Sequence, residues 1–412
     1  MRICVVGSGG REAALADVLA RDGGEVMVTP GNPLIPGSVD IPAEDLDADL
    51  YVIGPEAPLV DGLADRLRHD GRLVYGPGAD GAALEGSKAY LKDLLVEAGV
   101  PTARHGTFSD SDGAHEFLDT MAPPFVIKTD GLAAGKGVLV THDAAEAHNS
   151  VDDYLSGRAF GDAGRRLVIE EGLVGPEASV FAVCDGQRGV LLSPAQDFKR
   201  IGDGDSGPNT GGMGAYSPFR PPADLADGAF ERLVTDEFIA PTLAALRRRG
   251  IDFRGTLYAG LMLTAAGPKL LEYNVRFGDP ETQIVLPRLT SSLAELLAGA
   301  AAGELPGEPT FSDDAMVTVI CASEGYPVAP RTGNRIEGLE AARAVPGVTI
   351  YGAGVATDSS GSLVTAGGRV LSVCGRGADV AEARDRAYAG VAELSWPGMT
   401  VRTDIAAAAA AS

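Results

Sequence analysis

The stretch LLEYNVRFGDPETQ, Leu270–Gln283, decides how the rest of the chain is read. An alternating run, Lys269–Val275, reads as a strand that ends in a Gly-Asp-Pro turn. Side chains two apart on a strand share a face, so Glu272 and Asn274 project together and Arg276 continues that face. Two oxygen donors side by side, with few other protein ligands, suit Mg²⁺ that also bridges substrate phosphates. Arg276 can clamp a phosphate, and Asp279 and Glu281 open the next loop. A cross-strand ion cluster is the competing reading of the same residues.

Working outward, Thr256–Thr264 reads as the partner strand, joined through AAGP as a hairpin. Further upstream, KTDGLAAGKGV, Lys128–Val138, joins two strands, Phe125–Lys128 and Gly137–Thr141. It is not a Walker A loop. Three residues separate Gly131 from Gly135, Gly137 follows Lys136 where that motif has Ser or Thr, and a P-loop opens a helix. A glycine-rich hairpin can still close over phosphates with its amides and Lys136, and Lys128 adds a second cation. Solvated lysines on a turn are the alternative. VIEEGLVGPEASV, Val168–Val180, places Glu170, Glu171 and Glu177 around a strand break. Carboxylates there can hold a ribose diol and an adenine, or simply form a solvated acidic turn. In PAQDFKRIGDGDSGPNTGGMGAYSP, Pro194–Pro218, Asp197, Lys199 and Arg200 precede a glycine-rich loop expected to be structureless over Ile201–Pro218. Such a loop is either functional or a mobile surface segment. Glycine there lets backbone approach a small ligand closely.

The first hundred residues alternate strands (Arg2–Val6, Glu25–Thr29, Leu50–Ile53, Leu73–Tyr75) with helices (Arg11–Ala20, Leu59–His69, Ser87–Ala98). That alternation predicts an open parallel sheet with ligands beyond the carboxyl ends of its strands. There lies GSGGRE, Gly7–Glu12, where a helix N-terminus with free N–H groups favours a phosphate and Arg11 can add a bidentate contact. A βα turn needs glycine in any case. Pro101 marks a boundary. Helices Ser111–Met121 and Ala144–Leu155 and strands Leu167–Glu171 and Glu177–Cys184 then predict a small α+β unit. A long helix, about Asp224–Arg249, follows, and a third unit begins at Met316 and ends with a helix over about Val380–Leu394.

Composition bounds the answer. The chain has 412 residues, a net charge of −23, 45% hydrophobic residues and 55 glycines. The acidity argues against nucleic acid and against anionic membrane surfaces as partners. Four scattered cysteines without a C-x-x-C pair read as buried free thiols, and no run suits a signal peptide or a membrane helix, so a cytoplasmic location is expected.

In this order, GSGGRE, GPEAPLVDGLADRL, LEGSKAYLKDLLVEAGVPT, IKTDGLAAGKGV, AQDFKRIGDGDSGPNTGGMGAYSP, LYAGLMLT and LEYNVRFGDPETQ resemble the phosphoribosylamine–glycine ligase family of ATP-grasp enzymes. The resemblance implies an α/β plus α+β chain: an N-terminal open parallel sheet domain (1–100), an ATP-grasp core (101–310) with a lid at about 122–186, and a small C-terminal domain (311–412). It implies ATP-dependent ligation of glycine to 5-phosphoribosylamine through glycyl phosphate, with Mg²⁺ or Mn²⁺, by a monomer. Carried over by motif, Lys88, Lys128, Gly131, Gly135, Lys136 and Gly137 would hold ATP phosphates. The backbone at Glu170 and Glu171 would meet adenine, and Glu177 the ribose. Glu272 and Asn274 would take the metal, and Arg276 would steady the acyl phosphate. Asp197 and Lys199, with Asn209, Thr210, Gly211, Gly212, Met213 and Gly214, would line the glycine site. Gly9, Gly10, Arg11, Glu12, Asn32 and Glu56 would surround phosphoribosylamine. The chain departs from the family strings GGREHAL and QDHKR at Ala13 and Phe198. Another ATP-grasp carboxylate–amine ligase, or a nucleotide-binding paralogue without turnover, are the competing readings.

Overall fold

The computed structural model describes residues 1–131, 137–158, 164–226 and 228–411. Strands β1 (Arg2–Gly7), β2 (Glu25–Pro30), β3 (Leu50–Ile53) and β4 (Val74–Tyr75) form a parallel sheet in the order β2-β1-β3-β4. β1 and β3 are apolar on both faces and buried, as strands covered by helices on both sides must be. The strand order reverses beside β1, so the turns after β1 and β3 flank one crevice. The single helix expected over Leu59–His69 is two, Glu56–Val60 and Leu63–His69, because Gly62 adopts a left-handed conformation with φ 77°.

Next in the chain come β5 (His105–Phe108), β6 (Phe125–Thr129), β7 (Val138–Thr141) and β8 (Leu167–Glu171), an antiparallel sheet in the order β5-β8-β6-β7. Helices Ser111–Asp119 and Ala144–Leu155 cover one face around Phe125, Ile127, Leu167 and Ile169. This small unit therefore spans about 105–171, not 122–186. The next strand, β9 (Glu177–Asp185), pairs elsewhere.

The chain continues through β10 (Gly189–Leu191), β11 (Gln196–Asp197), β12 (Arg200–Gly202), β13 (Ser206–Asn209), β14 (Gly214–Ser217), β15 (Arg254–Thr264) and β16 (Gly267–Asn274). β10-β9-β15-β16 form an antiparallel central sheet. The segment Ile201–Pro218, expected to lack structure, instead contains the β12–β13 hairpin and strand β14. Local pattern hides this, because glycine and proline disguise pairing that a distant strand supplies. The long helix runs over 229–248 with one wider, five-residue turn at Thr235–Ile239.

Finally β17 (Ala315–Ala322), β18 (Val348–Gly352), the ribbon β19 (Val355–Thr357) with β20 (Leu363–Thr365), and β21 (Arg369–Gly377) complete the fold. The C-terminal sheet has the order β11-β14-β17-β21-β18, so it recruits residues 196–197 and 214–217 from before the expected boundary at 310. One apolar core runs continuously from Cys4 and Tyr51 through Phe253 to Val373, tying the three regions together. All four cysteines are free and buried. Among the described residues, no helix is long and apolar enough to cross a membrane.

Candidate functional site

Three lysines and one carboxylate occupy the hinge between the small antiparallel sheet and the central sheet. Lys128 lies near the end of β6, and Glu170 sits diagonally across on β8, where Val168 pairs with Lys128 and Glu170 with Val126. Lys128 Nζ sits 2.9 Å from Glu170 Oε1, and Lys92 Nζ sits 3.1 Å from Oε2. All three are buried, with Lys92 and Glu170 only 1% and 2% exposed. Burial works against charge on Lys128, but Glu170 and Glu272 outweigh it and hold its pKa above the ordinary value. Burial likewise pushes Glu170 up, yet Lys128 and Lys92 keep it low and ionised. Lys92 is the softest member: burial brings it down to about 8 despite Glu170. Its ammonium also donates to Thr102 Oγ1 at 2.8 Å. Lys88, one helical turn before Lys92, donates to the Gly131 carbonyl at 3.0 Å, and burial lowers its pKa.

Glu272 faces this cluster, since its charge acts on Lys88, Lys92 and Lys128. Among the described residues, no hydrogen bond or ion pair engages its carboxylate. Asn274 shares the strand face, and its Oδ1 accepts only a long contact, 3.4 Å, from Arg276. A free carboxylate and a nearly free amide oxygen on one face form a hard-oxygen donor set. That set fits Mg²⁺ or Mn²⁺ with its other positions filled by water and substrate oxygens. No three His, Cys, Asp or Glu side chains among the described residues gather into a metal cage.

Arg276 reaches across to the N-terminal region. Its Nη2 donates to Glu85 Oε1 at 2.8 Å and its Nε to Glu56 Oε2 at 3.3 Å. Glu85 is raised by burial, whereas Glu56 is held low by Arg276 in spite of burial. Arg11 donates to the Phe277 carbonyl at 3.2 Å and lies 2.5 Å from Glu12 Oε1. The Gly7–Glu12 turn differs from expectation here. The Gly9 N–H is not free, because Glu12 Oε2 accepts from it at 2.6 Å. Glu12 fills the crevice between the β1 and β3 turns. A Cβ on Gly7, where φ is +131°, would stand 2.6 Å from the Glu12 Cδ, and one on Gly54 would overlap its carboxylate. Glu12 thus shapes this turn and orients Arg11. Asn32 is likewise committed: its Nδ2 donates to Ser8 O at 2.8 Å and Gly352 O at 3.0 Å, while its Oδ1 accepts from Leu34 N at 2.8 Å. It fastens the N-terminal sheet to the C-terminal one.

A second polar cluster lies beside β9. Lys199 pairs closely with Glu177 and sits 3.3 Å from Asp197 Oδ1. Burial raises the Asp197 carboxyl, with Lys199 opposing and Glu281 and Glu177 reinforcing the rise. A hydroxyl chain leaves Asp197: Ser179 Oγ at 3.3 Å, Tyr258 OH at 2.9 Å from Ser179, and Glu281 Oε1 at 2.6 Å from Tyr258. The loop Asn209–Gly214 rests on this cluster through Thr210, whose Oγ1 donates to the Lys199 carbonyl at 2.8 Å. Gly212, with φ +105°, packs so tightly that a Cβ would stand 2.5 Å from Pro280 Cδ. Met213, expected among the ligand contacts, is completely buried and belongs to the core. Glu171 faces Lys269 at 2.8 Å and the Arg104 N–H at 3.0 Å, so its carboxylate closes the hinge. Gly135 and Lys136 lie outside the described residues, while Gly131 and Gly137 frame the hairpin.

The structure therefore joins Lys88, Lys128, Gly131, Glu170, Glu272 and Asn274 into one group, and Arg276, Glu56 and Arg11 into its neighbour. Asp197, Lys199, Glu177 and Thr210 make a third. Sequence reading missed Lys92, Glu85, Ser179, Tyr258 and Arg369. Only Lys92 carried a local signal, because Lys88 and Lys92 are four apart on a helix and share its face.

Residues 1–85, 86–282 and 316–408 match the phosphoribosylglycinamide synthetase N domain, ATP-grasp (A) domain and C domain, respectively. The chain is 47% identical to a phosphoribosylamine–glycine ligase of Caulobacter vibrioides, over 98% of this chain and 97% of that one. It is 47% identical to the protein of the same name from Streptomyces coelicolor, over the whole of both chains. Among solved structures, the phosphoribosylamine–glycine ligase of Thermotoga maritima superposes with a TM-score of 0.87 at 35% identity, covering 98% of this chain and all of that one.

Proposed function

Because the chain belongs to the phosphoribosylglycinamide synthetase family, we propose that it joins glycine to 5-phosphoribosylamine at the expense of ATP, with the residue roles that follow. The observation that carries the reading is the buried Lys92–Glu170–Lys128 triad facing the unpaired Glu272. Phosphoryl transfer asks mainly for positioning and charge neutralisation, and this group offers both.

Lys88, Lys92 and Lys128 hold the ATP phosphates, together with Gly131, Gly135, Lys136 and Gly137. The backbone at Glu170–Glu171 meets the adenine. Glu272 and Asn274 hold Mg²⁺ or Mn²⁺, which neutralises charge on the transferring phosphoryl group. A carboxylate oxygen of glycine attacks the γ-phosphorus, and ADP leaves. The amine of phosphoribosylamine then attacks the carbonyl carbon of glycyl phosphate, releasing phosphate and a proton. Arg276, fixed by Glu85 and Glu56, stands where the acyl phosphate forms. Asp197 and Lys199 lie 3.3 Å apart with opposite charge, a pairing that complements the ammonium and carboxylate of glycine. Arg11, oriented by Glu12, together with Gly9 and Gly10 takes the phosphate of phosphoribosylamine. The chain divides near residues 100 and 310 and works as a cytoplasmic monomer; the family resemblance and the four buried free thiols support that setting.

The deciding assay measures ADP release. Release that requires both glycine and phosphoribosylamine is the expected result. Release with a different acid or amine would replace the substrate pair, and ATP binding without turnover would make the chain a non-catalytic paralogue.

A further inference from the structure

Arg369 opens β21 in the C-terminal sheet, far in sequence from every motif of the site. Its Nη1 donates to the carbonyls of Gly211, of Gly212 at 3.4 Å and of Asp279 at 2.7 Å. Its Nη2 donates to Asp279 Oδ2 at 2.8 Å. One guanidinium thus gathers three carbonyls and a carboxylate from two loops. Those oxygens would repel one another without it, and only a planar fork of donors reaches all four. Asp279 passes the constraint on: its Oδ1 accepts from Gln283 Nε2 at 2.6 Å, and its Oδ2 lies 3.7 Å from where a Cβ on Gly9 would stand. Arg369 and Arg11 both hold the Asp279 carboxyl below its ordinary pKa, although burial opposes them. A neighbouring contact touches only one of the two loops: the Gly211 N–H donates to Tyr326 OH at 2.9 Å.

We infer that Arg369 is a positioning residue that couples the glycine loop, Asn209–Gly214, to the Asp279 loop beside the Gly9–Arg11 turn, so that occupancy of either substrate site raises affinity at the other. This rests on the substrate assignments proposed above. Such coupling is reciprocal, and a typical magnitude is roughly fivefold or more in affinity.

The test uses the full-length enzyme and measures the KM for glycine at low and at saturating phosphoribosylamine, together with the KM for ATP. In the unmodified protein the glycine KM falls as phosphoribosylamine rises. In Arg369→Gln that fall disappears, the KM of both substrates rises, and the KM for ATP stays within about twofold. Arg369→Lys keeps the charge but not the fork and restores little of the coupling. Tyr326→Phe raises the glycine KM and leaves the phosphoribosylamine KM unchanged. The inference is overturned if Arg369→Gln keeps the coupling, or if it raises all three KM values alike together with a lower Tm. Should Arg369→Gln not fold, coupling retained in Arg369→Lys overturns it equally. An unmodified protein that releases no ADP with both substrates refutes the activity, whereas an active protein whose coupling is insensitive to Arg369 refutes only this inference.

Discussion

Glu170→Gln tests the electrostatics of the ATP cradle. The change preserves size but replaces one carboxylate oxygen with an amide NH₂, which then faces an ammonium. Two buried lysines lose their shared anion, at 2.9 and 3.1 Å. Breaking a buried ion pair costs about 3–5 kcal/mol when the remaining charge cannot escape. Here it can escape, because Lys92 already titrates at about 8 and loses its proton readily once Glu170 is neutral. The sign follows from linkage. A lysine titrates near 10.4 when unfolded and lower in this fold, so the unfolded chain binds more protons between the two values and stability rises with pH there. In Glu170→Gln the folded pKa of Lys92 falls below 8, which extends that rise to lower pH. The difference from the unmodified protein therefore shrinks with rising pH, by about 1.4 kcal/mol per unit between the variant's Lys92 pKa and about 8. Urea unfolding at pH 6 and pH 9 reads this directly. The expected loss is about 3–5 kcal/mol at pH 6 and clearly smaller at pH 9. Equal losses at both pH values would refute the reasoning.

Glu272→Ala removes the carboxylate of the proposed metal-binding face, and kcat should fall roughly 10²–10³-fold while ATP binding by calorimetry persists; near-normal turnover with Mg²⁺ counts against the assignment. Arg11→Ala should raise the KM for phosphoribosylamine roughly ten- to a hundredfold, as expected for losing a charged hydrogen bond. An effect confined to ATP would mean the N-terminal turn is misread. Met213→Ala empties a fully buried position and should cost about 2–5 kcal/mol in thermal or urea unfolding, with the glycine KM little changed; a large KM effect without loss of stability would return Met213 to the substrate site.

Local periodicity located β1, β3, β8 and the helix Ala144–Leu155, because each is set by its own pattern of apolar side chains. It failed at Gly62, where one left-handed residue splits a helix, and at Ile201–Pro218, where strand β14 is held by pairing with β11 and the distant β17. The lid boundary failed for the same reason: β9 resembles its neighbour β8 in composition, but pairs with β15. The shared face of Glu272 and Asn274 was legible because a strand puts alternate residues on one face; among the described residues only Arg276 contacts the Asn274 oxygen. The structural roles of Asn32 and Met213 were not legible, because a motif string does not say which side chains hydrogen-bond across domains or fill the core.

The sequence by itself determined which chemistry the chain carries. Glycine-rich turns, a strand bearing Glu272, Asn274 and Arg276, and lysines beside a glycine-rich segment are properties of contiguous residues, and backbone geometry turns their spacing into shared faces. Only the tertiary structure decided which charges meet. Lys92 with Glu170, Arg276 with Glu85, and Arg369 with Asp279 are separated by tens to hundreds of positions. Their pairing depends on sheets that close over one another, and burial then makes each unpaired charge too costly to leave alone. That is why the paired oxygens of Glu272 and Asn274 could be read from Leu270–Gln283, whereas the long-range charge pairs around them could not.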